Sequence, residues 1–342
     1  MDDCEVRTLA DLRDVLQAAV ELELATIPPY LCAWWTVRDR TCEVALMLQD
    51  VAIAEMRHLA IAANTLIAVG GTPEIRAAFP AYPTHIRNVG TVEVSLLPFG
   101  RRFLEQSRRI ERPETKGAEP GTPTTSRVRL LAMGDRFSTI GAFYRCVLEG
   151  LDRLVVELGE PAVFPDGGRI ERQLGYFGAQ RIDVACRARA RALLDDVVDE
   201  GEGDDCGVRD RYGALAHFYT FDQMCRGRRY GPEDKAGRPC GDELAVPEGE
   251  EQVAPMLPNA TQLLYLPPRS ALWDDSVAFN DLLTDVVDTL DAGFKGDPAK
   301  VQAAFGLMLQ LREAADRLLA RPLPDHPGQV AGPTFELSCA PR

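Results

Sequence analysis

No stretch of this 342-residue sequence approaches the roughly 20 consecutive apolar residues of a membrane helix. Its first residues, MDDCEVRTLADL, are acidic and lack the basic-then-apolar order of a secretory leader. The formal net charge is −14, and the acidic residues are spread along the chain. This acidic balance argues against a nucleic-acid surface and against docking on anionic lipid. The nine cysteines are scattered, odd in number and without CxxC spacing, so neither a disulfide framework nor a thiolate zinc site is expected. Cys32, Cys42 and Cys146 fall in apolar helical patterns, where Cys acts as a small hydrophobe. A reduced, cytoplasmic setting is the expectation. There is no CxxCH haem attachment, no repeat of fixed period and no convincing sheet pattern.

What remains reads as helix. Hydrophobic residues make up 46% of the chain and charged residues 26%, enough apolar content for a core. We read one all-α domain over 1–342, with a core bundle over about 8–230 and C-terminal helices and tail over 231–342. Leu9, Leu12, Leu16, Val20, Leu24, Ile27 and Leu31 hold the helical period over about 8–37. Pro28 and Pro29 should kink or end that helix. A second helix over about 41–69 stops at Gly70-Gly71, with Pro73 beyond. Residues 72–100 read as loop, 100–110 as a short helix, and the Pro-, Thr- and Gly-rich stretch 112–126 as mobile. Further helices are expected over 129–158, over DVACRARARALLDDVVDEGEG, over 212–225, and near 276–294 and 298–321. The tail should lie as coil on the bundle.

Two segments carry ionisable groups on apolar helix faces. Glu23 is flanked at helical spacing by Leu16, Ala19, Val20, Ile27, Tyr30 and Leu31; Glu55 by Leu48, Val51, Ala52, Leu59 and Ala62. A buried carboxylate is costly without a partner. Glu55 and His58 form a Glu-x-x-His pair, one helical turn apart and aimed the same way, which is the ligand unit of iron and manganese sites in four-helix bundles. Among the four histidines, His217 also sits in an apolar helical pattern, and it is either a core histidine or a further ligand. His85 and His326 lie in Pro-rich loops and read as surface residues, and Glu21 as a solvated one.

ELELATIPPYL, AEMRHLAIAANTLIAVGGTP, FLEQSRRIERPE, TIGAFY, LAHFYTFDQMCRGRRY and AGPTFE, in that order, resemble the ferritin-like domain of the iminophenylpyruvate dimer synthase family (the VioB-like N-terminal domain). The resemblance covers about residues 8–337 and implies a ferritin-like four-helix bundle with additional C-terminal helices and long loops. It makes Glu23, Glu55, His58 and His217 metal-ligand positions. A symmetric site would carry a second Glu-x-x-His, yet Ala214 stands three residues before His217, and Ala142 occupies TIGAFY. Glu149 and Asp210 are weaker substitutes, so one ion rather than two is a reading that stays open. Tyr30, Trp34, Ala142, Tyr144, Ala214 and Phe218 are candidates for a substrate pocket.

Carboxylate and imidazole ligands suit iron or manganese and leave positions open for small molecules. Three functions stay open. The first is a non-haem metal oxidase or oxygenase of specialised metabolism, acting on an amino-acid-derived nitrogen-containing molecule or a modified peptide. The second is an imine-coupling, condensing enzyme, for which a non-covalent haem also stays open. The third is a binding protein with a degenerate site. Catalytic residues are not assigned, and a homodimer or a pathway enzyme is compatible as partner.

Overall fold

The computed structural model describes residues 6–86, 92–113, 137, 139–203, 207–265 and 268–338. Most of the stretch expected to be mobile, 114–126, lies outside the described residues, as does the expected start of the third main helix at 129–136.

Helix α1 spans Leu9–Thr36. Thr8 and Asp11 start it reciprocally: Thr8 Oγ1 accepts from the Asp11 amide at 3.1 Å, and Asp11 Oδ2 accepts from the Thr8 amide at 2.9 Å. Pro28 and Pro29 do not end it. Pro29 removes the N–H that would reach the Ala25 carbonyl four residues back, and Tyr82 Oη donates to that carbonyl instead, at 2.9 Å. The replacement bond, together with burial of both prolines, lets the helix run on to Thr36, close to the expected end at 37.

A short connection reverses the chain into α2, Glu43–Ala68. Its end is set by Gly70 at φ 82°, with the Gly71 amide donating to Leu66 O at 2.9 Å. By length and composition α2 could cross a membrane, but 78% of its apolar window is buried inside the fold. Ala19 on α1 and Ala45, Ala52, Ala62 and Ala63 on α2 are fully buried, and such small side chains let two helices approach closely.

The segment after α2 holds a short α3, Ile75–Ala78, and the two-residue strands β1, Thr84–His85, and β2, Glu93–Val94, paired antiparallel. Helix α4 covers Arg101–Ile110. Helix α5 covers Ile140–Leu158 and begins where Thr139 Oγ1 accepts from the Ala142 amide at 3.0 Å. It is followed by α6, Glu160–Val163, and a second antiparallel pair, β3, Tyr176–Phe177, with β4, Gln180–Arg181. Asn64 of α2 holds this region: its Nδ2 donates to Leu174 O and Ile182 O, and its Oδ1 accepts from the Leu174 amide.

Helix α7 spans Arg187–Glu202 and α8 spans His217–Arg226. The expected start of α8 at 212 is corrected. Residues 210–214 form a turn in which Asp210 Oδ1 accepts from the Tyr212 and Ala214 amides, and Gly213 takes φ 89°. His217 is therefore the first residue of its helix.

Helices α9, Ala271–Phe294, and α10, Pro298–Leu319, form an antiparallel pair against α3, α1 and α2. Ser270 Oγ accepts from the Trp273 amide, so α9 starts five residues ahead of the expected 276. The tail packs into the same core: Phe335 stacks on Trp35 with ring centroids 6.0 Å apart. Within the bundle α5 packs on α1 and α7, α7 reaches α2, and α8 closes one side by contacting α4, α7 and α2. Cys32, Cys42, Cys186, Cys225 and Cys240 are free thiols. Cys146, expected as a free apolar cysteine, is disulfide-bonded.

Candidate metal centre

Glu23 and Glu55 face each other near the middles of α1 and α2, 2% and 3% exposed. His58, one turn after Glu55, points its Nδ1 at both: 3.6 Å from Glu55 Oε1 and 3.8 Å from Glu23 Oε2. His217 approaches from the start of α8, with Nδ1 3.0 Å from Glu55 Oε1. The two imidazole rings stack with centroids 5.5 Å apart and planes inclined by 28°.

A fifth group completes the arrangement. Glu111 follows the last turn of α4 and is 5% exposed. One ligand atom each from Glu23, Glu55 and His58 lie within 4.8 Å of one another, and the same holds for Glu55, Glu111 and His217. Two triads of two carboxylates and one imidazole thus share Glu55. The carboxylate that Ala142 and Ala214 fail to supply comes from Glu111, outside any second Glu-x-x-His.

Each outer group has its own support. The Tyr144 hydroxyl of α5 donates to Glu23 Oε1, and the Tyr30 hydroxyl of α1 donates to Glu111 Oε1. Thr26 Oγ1 donates to Glu55 Oε2 at 2.6 Å. Glu200 of α7 lies 3.0 Å from His58 Nε2 and also takes the Arg57 guanidinium. A carboxylate at Nε2 holds the proton there and leaves the Nδ1 lone pair facing Glu23 and Glu55, the arrangement that histidine ligands of metals commonly show.

The electrostatics follow from burying three carboxylates together. Burial and the neighbouring Glu55 push Glu23 well above the usual carboxylate range. Burial, with Glu55 again, pushes Glu111 up to about 8. Burial alone would raise Glu55 too, but the His217 and His58 imidazoles outweigh it and hold Glu55 below the ordinary range. Burial brings His58 down to about 4 against the pull of Glu55, so its imidazole is neutral at pH 7. Burial also works to lower His217, and Glu55 and Glu111 overcome it.

These residues fit a divalent-ion site. His217 Nδ1 is buried and, although close to Glu55, makes no aligned hydrogen bond. An orphaned buried nitrogen is costly, and a cation would satisfy it while supplying the positive charge that three carboxylates lack. The donor set is oxygen and imidazole nitrogen, with no thiolate in either triad.

The remaining sequence candidates fall elsewhere. Glu149 is exposed on the outer side of α5 and belongs to neither triad. Asp210 is held in its turn by two backbone amides. Ala214 is in the same turn, so a glutamate there would not stand one helical turn from His217. It lines a cavity of about 400 Å³ that reaches His217. Tyr30 and Tyr144 are fully buried against the carboxylates, Trp34 lies under the Arg312 guanidinium, and Phe218 under Arg108. These four, with Ala142 beside the Thr139 cap, are not among the residues lining that cavity. His85 is exposed and His326 partly buried.

Sequence reasoning passed over Glu111 and Glu200, though each had a signal. Glu111 continues the buried side of α4 set by Phe103, Leu104 and Ser107, and Glu200 continues that of α7 set by Leu193 and Val197.

A family model described as ferritin-like matches residues 16–226. Among solved structures, a ferritin-like protein from Caulobacter vibrioides is similar, with 21% identity and a TM-score of 0.60. The match covers 90% of this chain and 96% of that one, and it shows a shared fold. No curated protein matches.

Proposed function

Because the chain belongs to the ferritin-like family, we propose that it is a metal-dependent oxidative enzyme that holds two divalent ions, iron or manganese, inside the bundle. The observation that carries this reading is the pair of buried triads sharing Glu55. Glu23, His58 and Glu55 would hold one ion; Glu111, His217 and Glu55 the other. Iron bound there would supply oxygen-dependent oxidation of a bound small molecule.

The chain's own residues prepare that chemistry. Tyr144 and Tyr30 orient the outer carboxylates, and Thr26 orients Glu55. Glu200 fixes the His58 ring and its tautomer. Leu59 and Ala62, on the same face of α2 as Glu55, and Phe221, packed on Tyr30, are buried and exclude bulk water there. In the absence of ions, Glu23 and Glu111 carry protons that metal binding releases.

The substrate class, an amino-acid-derived nitrogen-containing molecule of specialised metabolism, rests on the six ordered segments that resemble the iminophenylpyruvate dimer synthase family. The same segments favour imine coupling as a second reading. The degenerate-site reading loses its motive, since Glu111 stands where a carboxylate was missing. A cluster of carboxylates also suits hard non-haem ions better than a haem. The cytoplasmic setting belongs to the proposal through the five free thiols among the described residues, with the bonded Cys146 pointing the other way.

Elemental analysis of purified protein reconstituted with Fe(II) or Mn(II) tests the reading. Two ions per chain are expected, and His58→Ala and His217→Ala should each lose at least one. Unchanged stoichiometry in both variants overturns the assignment. A loaded protein whose O2 consumption responds to no nitrogen-containing small molecule overturns the oxidative part.

A further inference from the structure

The cavity beside His217 lies between α2, the turn at 210–215, α7 and α8. At about 400 Å³ it is the size of a small-molecule pocket. Its walls near α2 are Met47, Val51 and Ala54, with Leu215 opposite. His217, nine-tenths buried and with its Nδ1 beside Glu55, stands at the inner end, while Asp50 is at the exposed end. The cavity thus reaches inward as far as His217 of the second triad.

Its charges are unequally spoken for. The Arg57 guanidinium is taken by Glu200 and by Gln180 Oε1, at 2.5 Å from the latter. Asp210 is satisfied by the Tyr212 and Ala214 amides. Among the described residues Asp50 has no hydrogen bond and no ion pair, although burial is enough to raise its carboxyl. A pocket with apolar walls and one uncommitted carboxylate favours a cation with an apolar body.

Building on the metal-centre reading, we infer that this cavity binds a small primary amine, with its ammonium group on Asp50 and its carbon chain running along Ala54 toward His217. Asp50 and Ala54, four residues apart, share one face of α2, and His217 lines the same cavity. An amine of about six carbons fits within about 400 Å³ with its ammonium on Asp50 and its chain over Ala54. Carboxylates and neutral alcohols of the same length gain nothing from Asp50, and the carboxylate is repelled.

Calorimetric titration of the metal-reconstituted full chain with hexylamine, hexan-1-ol and hexanoate tests the inference. Wild-type protein should bind hexylamine about tenfold or more tightly than either isostere, as expected for a partly desolvated charge pair. Asp50→Asn should abolish that preference, and because Asp50 is exposed the variant keeps the fold. Ala54→Leu, which fills the channel, should weaken all three probes. Equal binding of the three probes by wild type overturns the inference, as does a preference that survives in Asp50→Asn. Metal content measured on the same samples separates the two readings. Two ions without amine preference leave the metal centre standing and remove the amine site. Asp50-dependent amine binding without ions does the reverse.

Discussion

Glu111→Gln separates metal binding from folding at one position. The amide keeps the shape of the side chain and can still accept from Tyr30, but it removes one of the three protein groups of the second triad. Metal affinity there should fall by at least about 100-fold, the upper range for losing even an indirect support of a ligand. Stoichiometry should drop from two ions to one. Stability of the metal-free protein should move the opposite way. An acid whose folded pKa is raised stabilises the fold below its unfolded pKa and loses that contribution as pH rises through the folded value. For Glu111 that window runs from 4.5 to about 8. At pH 7, about 2.5 pH units above the unfolded value, keeping the buried carboxyl protonated costs on the order of 3 kcal/mol, at about 1.4 kcal/mol per unit. Glu111→Gln has no such cost. Urea denaturation of metal-free wild type and variant should therefore agree near pH 4.5, and the variant should be more stable at pH 7. A variant that binds two ions, or one that is less stable than wild type at pH 7 in the metal-free form, refutes the reasoning.

Other changes reach the centre or the fold separately. Tyr144→Phe removes the phenol that holds Glu23 and should weaken binding of the first ion by about 10–100-fold in a metal titration, with thermal unfolding of the metal-free protein changed far less. Loss of fold in that variant would show that Tyr144 acts through packing instead. Asn64→Ala strands two buried carbonyls and one amide around β3 and β4 and should cost about 2–4 kcal/mol by chemical denaturation, while metal content stays unchanged. A cost below about 1 kcal/mol would mean that water replaces the side chain there.

Periodicity finds residues on the long helices and fails at helix ends. Glu23, Glu55 and His58 were visible because each sits in mid-helix, where neighbours three and four residues away declare the face. Glu111 follows the last turn of α4, where half of the face that would declare it is missing; His217, the first residue of α8, is picked out only by extending a helical pattern back over 212–216. The reading of 212–216 as helix erred for a local reason. Gly213 and the Asp210 side chain make a turn from residues whose apolar spacing fits a helix equally well. The span of about 8–37 agrees with α1, and of the two outcomes expected at Pro28-Pro29 an end of the helix does not occur, since Tyr82, more than fifty residues away, supplies the bond that Pro29 withholds.

The amino-acid sequence by itself determined the all-α class, the pairing of α1 with α2 through a short connection, and one Glu plus one Glu-x-x-His aimed at a shared interior. Those features depend on hydrophobic period, capping and chain connectivity, all of which act within a few tens of residues. Tertiary structure decided that the centre has two triads. Glu55 meets Glu111 and His217, 56 and 162 positions further along the chain, only because α4 and α8 pack together across the side of α2. It also decided the protonation of these groups, since burial beside other carboxylates, and no property of the residues alone, raises Glu23 and Glu111 while two imidazoles hold Glu55 down.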